Sequence, residues 1–125
     1  MSPTEGGDGR AARRHKLFVG YVILMLLAFL LPVPTSPVAE SNHADKLVHF
    51  GIFLGFALLF YGDKHWKPWW NFLLSAAFAG IIELVQWNLP YRDGDWMDFI
   101  AGAAGAAVGT LVVMWLARQR ANSGL

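Results

Sequence analysis

The sequence predicts an all-α fold: a polytopic membrane protein of four transmembrane helices in a compact bundle, with both termini cytoplasmic. Three observations predict it. Hydrophobic residues make up 55% of the 125 positions and charged residues only 15%, whereas a soluble domain carries about 25% charged residues. The few charges avoid four long stretches, with cations on one side of them and tryptophans at their ends. The same composition excludes other classes. Without cysteine there is no disulfide framework. A net charge of +1 is too small for a typical nucleic-acid binder, so no nucleic-acid partner is expected. The chain is also too apolar for intrinsic disorder.

Taken in order, Leu17 to Pro32 carries no charged side chain or histidine, Leu47 to Gly62 carries only His49, Trp69 to Tyr91 carries only Glu83, and Phe99 to Ala117 carries none. A hydrocarbon core of about 30 Å needs roughly 20 helical residues. The spans are therefore placed at about 16–33, 45–62, 68–89 and 97–117, inside a single domain at 16–118. The first two stretches are short, so their polar flanks must snorkel to the interface. Residues 1–15 are polar and Gly-rich and read as a disordered cytoplasmic tail, 119–125 as a second tail, and 33–44 as a loop. The first stretch resembles a signal peptide in having a basic lead. Pro34 and Pro37 stand where a cleavage site needs small residues, so it reads as an uncleaved anchor.

Orientation follows from lysine and arginine. Arg10, Arg13, Arg14, Lys16, Lys64, Lys67, Arg118 and Arg120 all fall on one side of a four-span chain; only Lys46 and Arg92 fall on the other. The positive-inside rule makes the first side cytoplasmic. Glu40, Asp45, Glu83, Asp93, Asp95 and Asp98 map to the outer side. Trp66, Trp69, Trp70 and Trp115 map to the inner interface and Trp87 and Trp96 to the outer one, the levels that amphipathic rings favour.

The candidate site is the polar remainder of the outer side. Asp45 and His49 are four apart and share a helix face, as do Glu83 and Gln86, three apart. Glu83 lies roughly 9 Å below a helix end near Leu89, where a charged carboxylate costs about 2.5–3.5 kcal/mol. Lys46, His49 and Arg92 are its available partners. After Pro90 and a turn at Gly94, Asp95 suits an N-cap and Asp98 the first turn of the last helix. Bland roles stand beside the functional ones. The aspartates can simply cap helices, Lys46 can snorkel, Gln86 can join helices, and Arg92 can neutralise Glu83. What favours a site is that three helices bring polar groups to one leaflet, while their inner halves bring almost none. Gly105 and Gly109, and likewise Gly51 and Gly55, have the spacing that lets helix backbones approach closely. That spacing serves packing within one bundle, or a homodimer.

These residues also carry a resemblance. Asp45-Lys46-x-x-His49-Phe50, Glu83-x-x-Gln86, Arg92 with Asp98 six positions on, and Gly105-x-x-x-Gly109 resemble the VanZ-like membrane family over just over half the chain. Where the family often has Asn four residues after the last aspartate, this chain has Gly102. The resemblance implies a multi-pass protein of the bacterial cytoplasmic membrane. The family takes its name from a protein associated with teicoplanin resistance, and no reaction is implied.

Several functions fit. In the first, the outer-leaflet cluster binds or modifies an envelope component, such as a lipid-linked precursor or a phospholipid headgroup. Glu83, His49 and Asp98 would be the acid–base residues, and Asp45, Lys46, Gln86, Arg92 and Asp95 would bind the substrate. Whether a reaction occurs is left open. Isolated Ser41 and Ser75 offer no nucleophile elbow. A metal set of Asp45, His49, Glu83 and Asp98 is a minor alternative, because no HExxH or paired-histidine spacing occurs. The expectation is therefore no metal and no cofactor. The others are a small proton- or ion-coupled transporter or channel using Glu83, and a structural subunit without catalysis.

Overall fold

A computed structural model describes residues 3–31, 42–64, 67–92 and 94–123. They form four helices in chain order: α1 (Pro3–Leu30), α2 (Asn42–Lys64), α3 (Pro68–Trp87) and α4 (Trp96–Asn122), with no strand among the described residues. The expectations for Glu40, Ser41, Trp66, Asp93 and the prolines of the 33–44 loop lie outside the described residues.

Three helices are long and apolar enough to cross a membrane: Ala44–Lys64, Pro68–Trp87 and Trp96–Asn122. In α1 the apolar stretch starts after Lys16 and ends with the helix at Leu30, a run of only about 21 Å at 1.5 Å per residue. The polar lead read as a disordered tail is instead helical from Pro3 onward. Ala11, Ala12, Arg13, Arg14 and Lys16 are strong helix formers, and a helix already nucleated in apolar sequence propagates through them at little cost. α4 likewise continues to Asn122, through part of the expected second tail. Pro68 opens α3, since its missing N–H has no helical partner there anyway. α3 stops at Trp87, ahead of Pro90.

Consecutive helices run antiparallel, so α2 and α4 lie parallel and make the most extensive contact in the bundle. Glycine makes that contact possible. A Cβ on Gly105 would strike the carbonyl of Phe50, and one on Gly109 would lie 2.6 Å from the Leu54 oxygen and 2.9 Å from the Ala57 Cβ. Gly105 and Gly109 thus pack within one bundle, the first of the two uses their spacing allowed. Gly55 is covered by the Tyr21 ring, whose hydroxyl donates to the Ile52 carbonyl at 2.5 Å. Gly51 faces open space.

The core is aromatic. Met25, Phe29, Phe53, Phe56, Ala79 and Ile82 are buried together. Phe56 and Phe78 stack at 5.1 Å, Phe29 and Phe53 at 5.9 Å, and Phe29 continues the stack onto the His49 imidazole at 4.6 Å. Leu24, Leu47, Leu84, Leu111 and other large apolar side chains remain exposed around the outside, as expected of a surface facing acyl chains. Lys64, Lys67, Arg118 and Arg120 share one end of the bundle with exposed Trp69, Trp70 and Trp115. Asp45, Glu83, Asp95 and Asp98 share the other with Trp87 and Trp96.

Candidate functional site

The acidic end begins with the first turns of α2. His49 points inward, and its Nδ1 lies 2.9 Å from the Asp45 carbonyl oxygen and 3.7 Å from the Asp45 carboxylate. An acceptor oxygen at that distance requires the proton to be on Nδ1. Nε2 is therefore the nitrogen presented to the site, and Phe29 holds the ring from one face.

Glu83 comes from α3, one turn before its end. One carboxylate oxygen accepts the backbone N–H of Asp95, and the other stands 3.9 Å from His49 Nε2. That amide belongs to the N-terminus of α4, whose unpaired N–H groups and dipole favour a carboxylate. Asp95 is the N-cap of α4, extended at φ −142° and ψ 113°, and accepts the Met97 N–H at 3.0 Å. Its other oxygen takes the Lys46 ammonium at 3.2 Å. The Met97 N–H first, and then Lys46, hold the Asp95 carboxyl below the usual aspartate range, against the opposing effect of burial. Asp98 lies one turn further into α4, its Oδ1 3.7 Å from Lys46 Nζ.

His49, Glu83 and Asp98 are 3, 4 and 2% exposed, yet His49 Nε2, Glu83 Oε2 and Asp98 Oδ1 make no hydrogen bond. Each such group costs about 1–3 kcal/mol when buried. Ligand atoms of Asp45, His49 and Asp98 lie within 4.8 Å of one another. The helices thus bring Asp45, Lys46, His49, Glu83, Asp95 and Asp98 into one cluster.

Arg92 and Gln86 are turned elsewhere. The Arg92 guanidinium donates to the carbonyls of Ala28 at 2.7 Å and Leu31 at 2.6 Å. Gln86 Nε2 donates to Phe29 O at 2.9 Å, and the Tyr91 hydroxyl to Leu30 O at 2.6 Å. Four successive carbonyls at the end of α1 are satisfied this way. They lack intrahelical donors, and Pro32 follows them with no N–H to offer. Of the three partners available to Glu83 in the sequence, Arg92 is engaged in this cap instead, and His49 stands 3.9 Å from the Glu83 carboxylate. Its geometry serves to anchor α1, which also accounts for Gln86.

The sequence reading missed a second polar set toward the basic end. Asn71 and Ser75 are fully buried and Thr110 nearly so. Asn71 Nδ2 donates to Ala57 O at 3.1 Å and Thr110 Oγ1 at 3.3 Å, while Asn71 Oδ1 and Ser75 Oγ have no hydrogen-bond partner. Asn71, Ser75, Ala79 and Glu83 recur every four residues along the inner face of α3. That spacing was the available signal. Near this line, a Cβ on Gly102 would lie 3.0 Å from Phe53 Cδ2 and 3.2 Å from Ala79 Cβ. An asparagine there would press on both side chains.

In comparison with known proteins, the family model described as VanZ/LLP1 fits residues 18–117. Neither the curated proteins nor the solved structures give a significant match. The matched segment holds every member of the cluster and, but for Leu17, all four apolar stretches, and the chain belongs to the VanZ/LLP1 family.

Proposed function

We propose that this chain is a multi-pass protein of the bacterial cytoplasmic membrane whose acidic cluster lies at the outer leaflet. There it binds, or chemically alters, the polar part of a cell-envelope component. α1 serves as a fourth span, and both termini are cytoplasmic. The cation distribution and the tryptophan levels support that orientation. The observation that carries the functional reading is the set of three buried atoms on His49, Glu83 and Asp98 that make no hydrogen bond. Structural polar groups in lipid form hydrogen bonds, so three such atoms gathered in one cluster support a place for something else. Lys46 suits an anionic group such as a phosphate. Glu83 or Asp98 serves as the proton acceptor, and His49, with its tautomer fixed through Asp45, relays or orients the proton.

The association of the family's namesake protein with teicoplanin resistance supplies the assay. A host expressing the wild-type chain should differ in glycopeptide susceptibility from one expressing Glu83→Gln or a Glu83, His49 and Asp98 triple variant. Equal susceptibility with the triple variant, at equal membrane abundance, would remove the site.

A second reading is favoured by the Asn71–Ser75–Ala79–Glu83 line, which continues polar positions toward the basic end. In that reading Glu83 is the proton or ion site of a small transporter. Proton flux in liposomes that survives Glu83→Gln would end it.

A further inference from the structure

The geometry points to a divalent-cation site between α2, α3 and α4, held by His49 with the carboxylates of Asp45, Glu83 and Asp98. It is the same site as above, and its role at the envelope rests on that reading. The sequence offers no metal-binding spacing because the donors come from three helices.

Three features carry the inference. The first is the histidine. Its Nδ1–H is committed to the Asp45 carbonyl at 2.9 Å, so in the neutral imidazole Nε2 presents a lone pair. A backbone carbonyl on the distal ring nitrogen is the usual arrangement of a metal-ligating imidazole. The second is what the lone pair faces. Glu83 Oε2, another acceptor, stands 3.9 Å away with no hydrogen bond of its own. A separation of 3.9 Å exceeds a hydrogen bond, but a cation bonded at about 2.0–2.2 Å to both atoms spans it. Asp98 Oδ1 is a third buried oxygen without a hydrogen bond, in a group whose ligand atoms with Asp45 and His49 lie within 4.8 Å. For bonds near 2.1 Å these must draw in by roughly 1–2 Å, within the reach of a carboxylate rotation.

The third is charge. Asp45, Glu83, Asp95 and Asp98 bring four carboxylates, and Lys46 is the ammonium bonded among them. A divalent ion offsets two of the remaining negative charges where desolvation makes them costly. One imidazole with several carboxylates suits Mn²⁺ or Zn²⁺. Mg²⁺ keeps most of its waters and needs few protein ligands. When the cation enters, Lys46 leaves Asp98 and keeps its bond to Asp95.

The full-length chain in lipid nanodiscs, stripped with EDTA, is titrated with Mn²⁺ alone and with Zn²⁺ alone. The expected result is one ion per chain, with affinity lowered about tenfold or more in His49→Phe and in Glu83→Gln. Lys46→Gln should bind equally well or more tightly. Because either ligand variant can misfold, the wild type is also read by pulsed electron paramagnetic resonance, where bound Mn²⁺ should couple to an imidazole nitrogen. No stoichiometric ion, no nitrogen coupling, or equal affinity in both ligand variants overturns the site. If no ion binds while Glu83→Gln still alters glycopeptide susceptibility, the cation fails and the envelope reading stands. If the ion binds while the triple variant leaves susceptibility unchanged, the envelope reading fails and the cation stands.

Discussion

Glu83 and Asp95 are joined across the α3–α4 turn. The backbone N–H of Asp95 donates to the Glu83 carboxylate, while the Asp95 side chain turns outward to Met97 and Lys46. One residue thus fixes the buried acid through its backbone and the nearby lysine through its side chain.

Glu83 can therefore be stripped of charge without being stripped of its place. In Glu83→Gln the amide oxygen still accepts the Asp95 N–H, so the thermal midpoint in detergent should stay near that of wild type. Glu83→Ala leaves that buried N–H without an acceptor, and about 1–3 kcal/mol of stability should be lost. Thermal unfolding of the purified variants measures both. Equal midpoints for Gln and Ala would show that the bond contributes nothing.

Arg92 should behave as a clamp on α1. Arg92→Gln removes charge-assisted bonds to two carbonyls, each worth about 1.5–3 kcal/mol before solvent screening. Hydrogen exchange should then rise in the last turns of α1, with Mn²⁺ or Zn²⁺ affinity unchanged. Since the chain has no cysteine, a single cysteine placed in that turn reports the same opening by thiol labelling against no background. Unchanged exchange in α1 would contradict the clamp.

The glycine contacts give a graded packing test. Gly105→Ala sets a methyl against the Phe50 carbonyl, and Gly102→Asn sets a larger side chain against Phe53 and Ala79. Overpacking of this kind costs about 1–3 kcal/mol, whereas Gly51→Ala, facing open space, should be neutral or slightly stabilising. Phe53→Leu should recover part of the Gly102→Asn loss. A Gly105→Ala chain as stable as Gly51→Ala would refute the close α2–α4 approach.

Asp95 makes the acid limb of stability predictable. Its folded-state pKa lies below the ordinary aspartate value, so its contribution is fully present above that ordinary range, near 4. It is lost as pH falls through the lower folded value. Asp95→Asn keeps a good N-cap but no longer titrates. The gap in thermal midpoint between wild type and Asp95→Asn should therefore narrow below about pH 4. A gap constant from pH 7 to pH 3 would rule out this linkage.

The site residues were legible to different degrees, for physical reasons. Asp45, His49, Glu83 and Asp98 stood out because ionisable side chains interrupt long apolar runs, and helical spacing then assigns their faces. The bonds of Arg92 to the backbone end of α1 were not legible, because an unsatisfied carbonyl leaves no mark in a sequence. The bond of Gln86 to Phe29 O is hidden for the same reason, although its role in joining helices was among those expected. Asn71 and Thr110 passed unnoticed because neutral amides and hydroxyls do not break a charge gap, although the four-residue recurrence with Ser75 and Glu83 was there to be read. The helical start of α1 was hidden by its glycines, which local propensity counts against a helix that extends from a stable neighbour. The four-helix count needed only the positions of charge and proline.

The α2–α4 seam decides which part of the cluster can move. Glycine backbones pressed against carbonyls leave no slack for sliding, so the pieces carrying Asp45, His49 and Asp98 form one stiff jaw. Glu83 rides on α3, which meets that jaw through Ala79 over Gly102 and through the Asn71 side chain on the Ala57 carbonyl. The position of Glu83 against that jaw therefore depends on the short connection between α3, ending at Trp87, and α4, starting at Trp96. At that turn Gly94 lies so close to the Trp87 ring that no side chain fits. A substitution there would alter the grip of the site without touching any group that does the gripping.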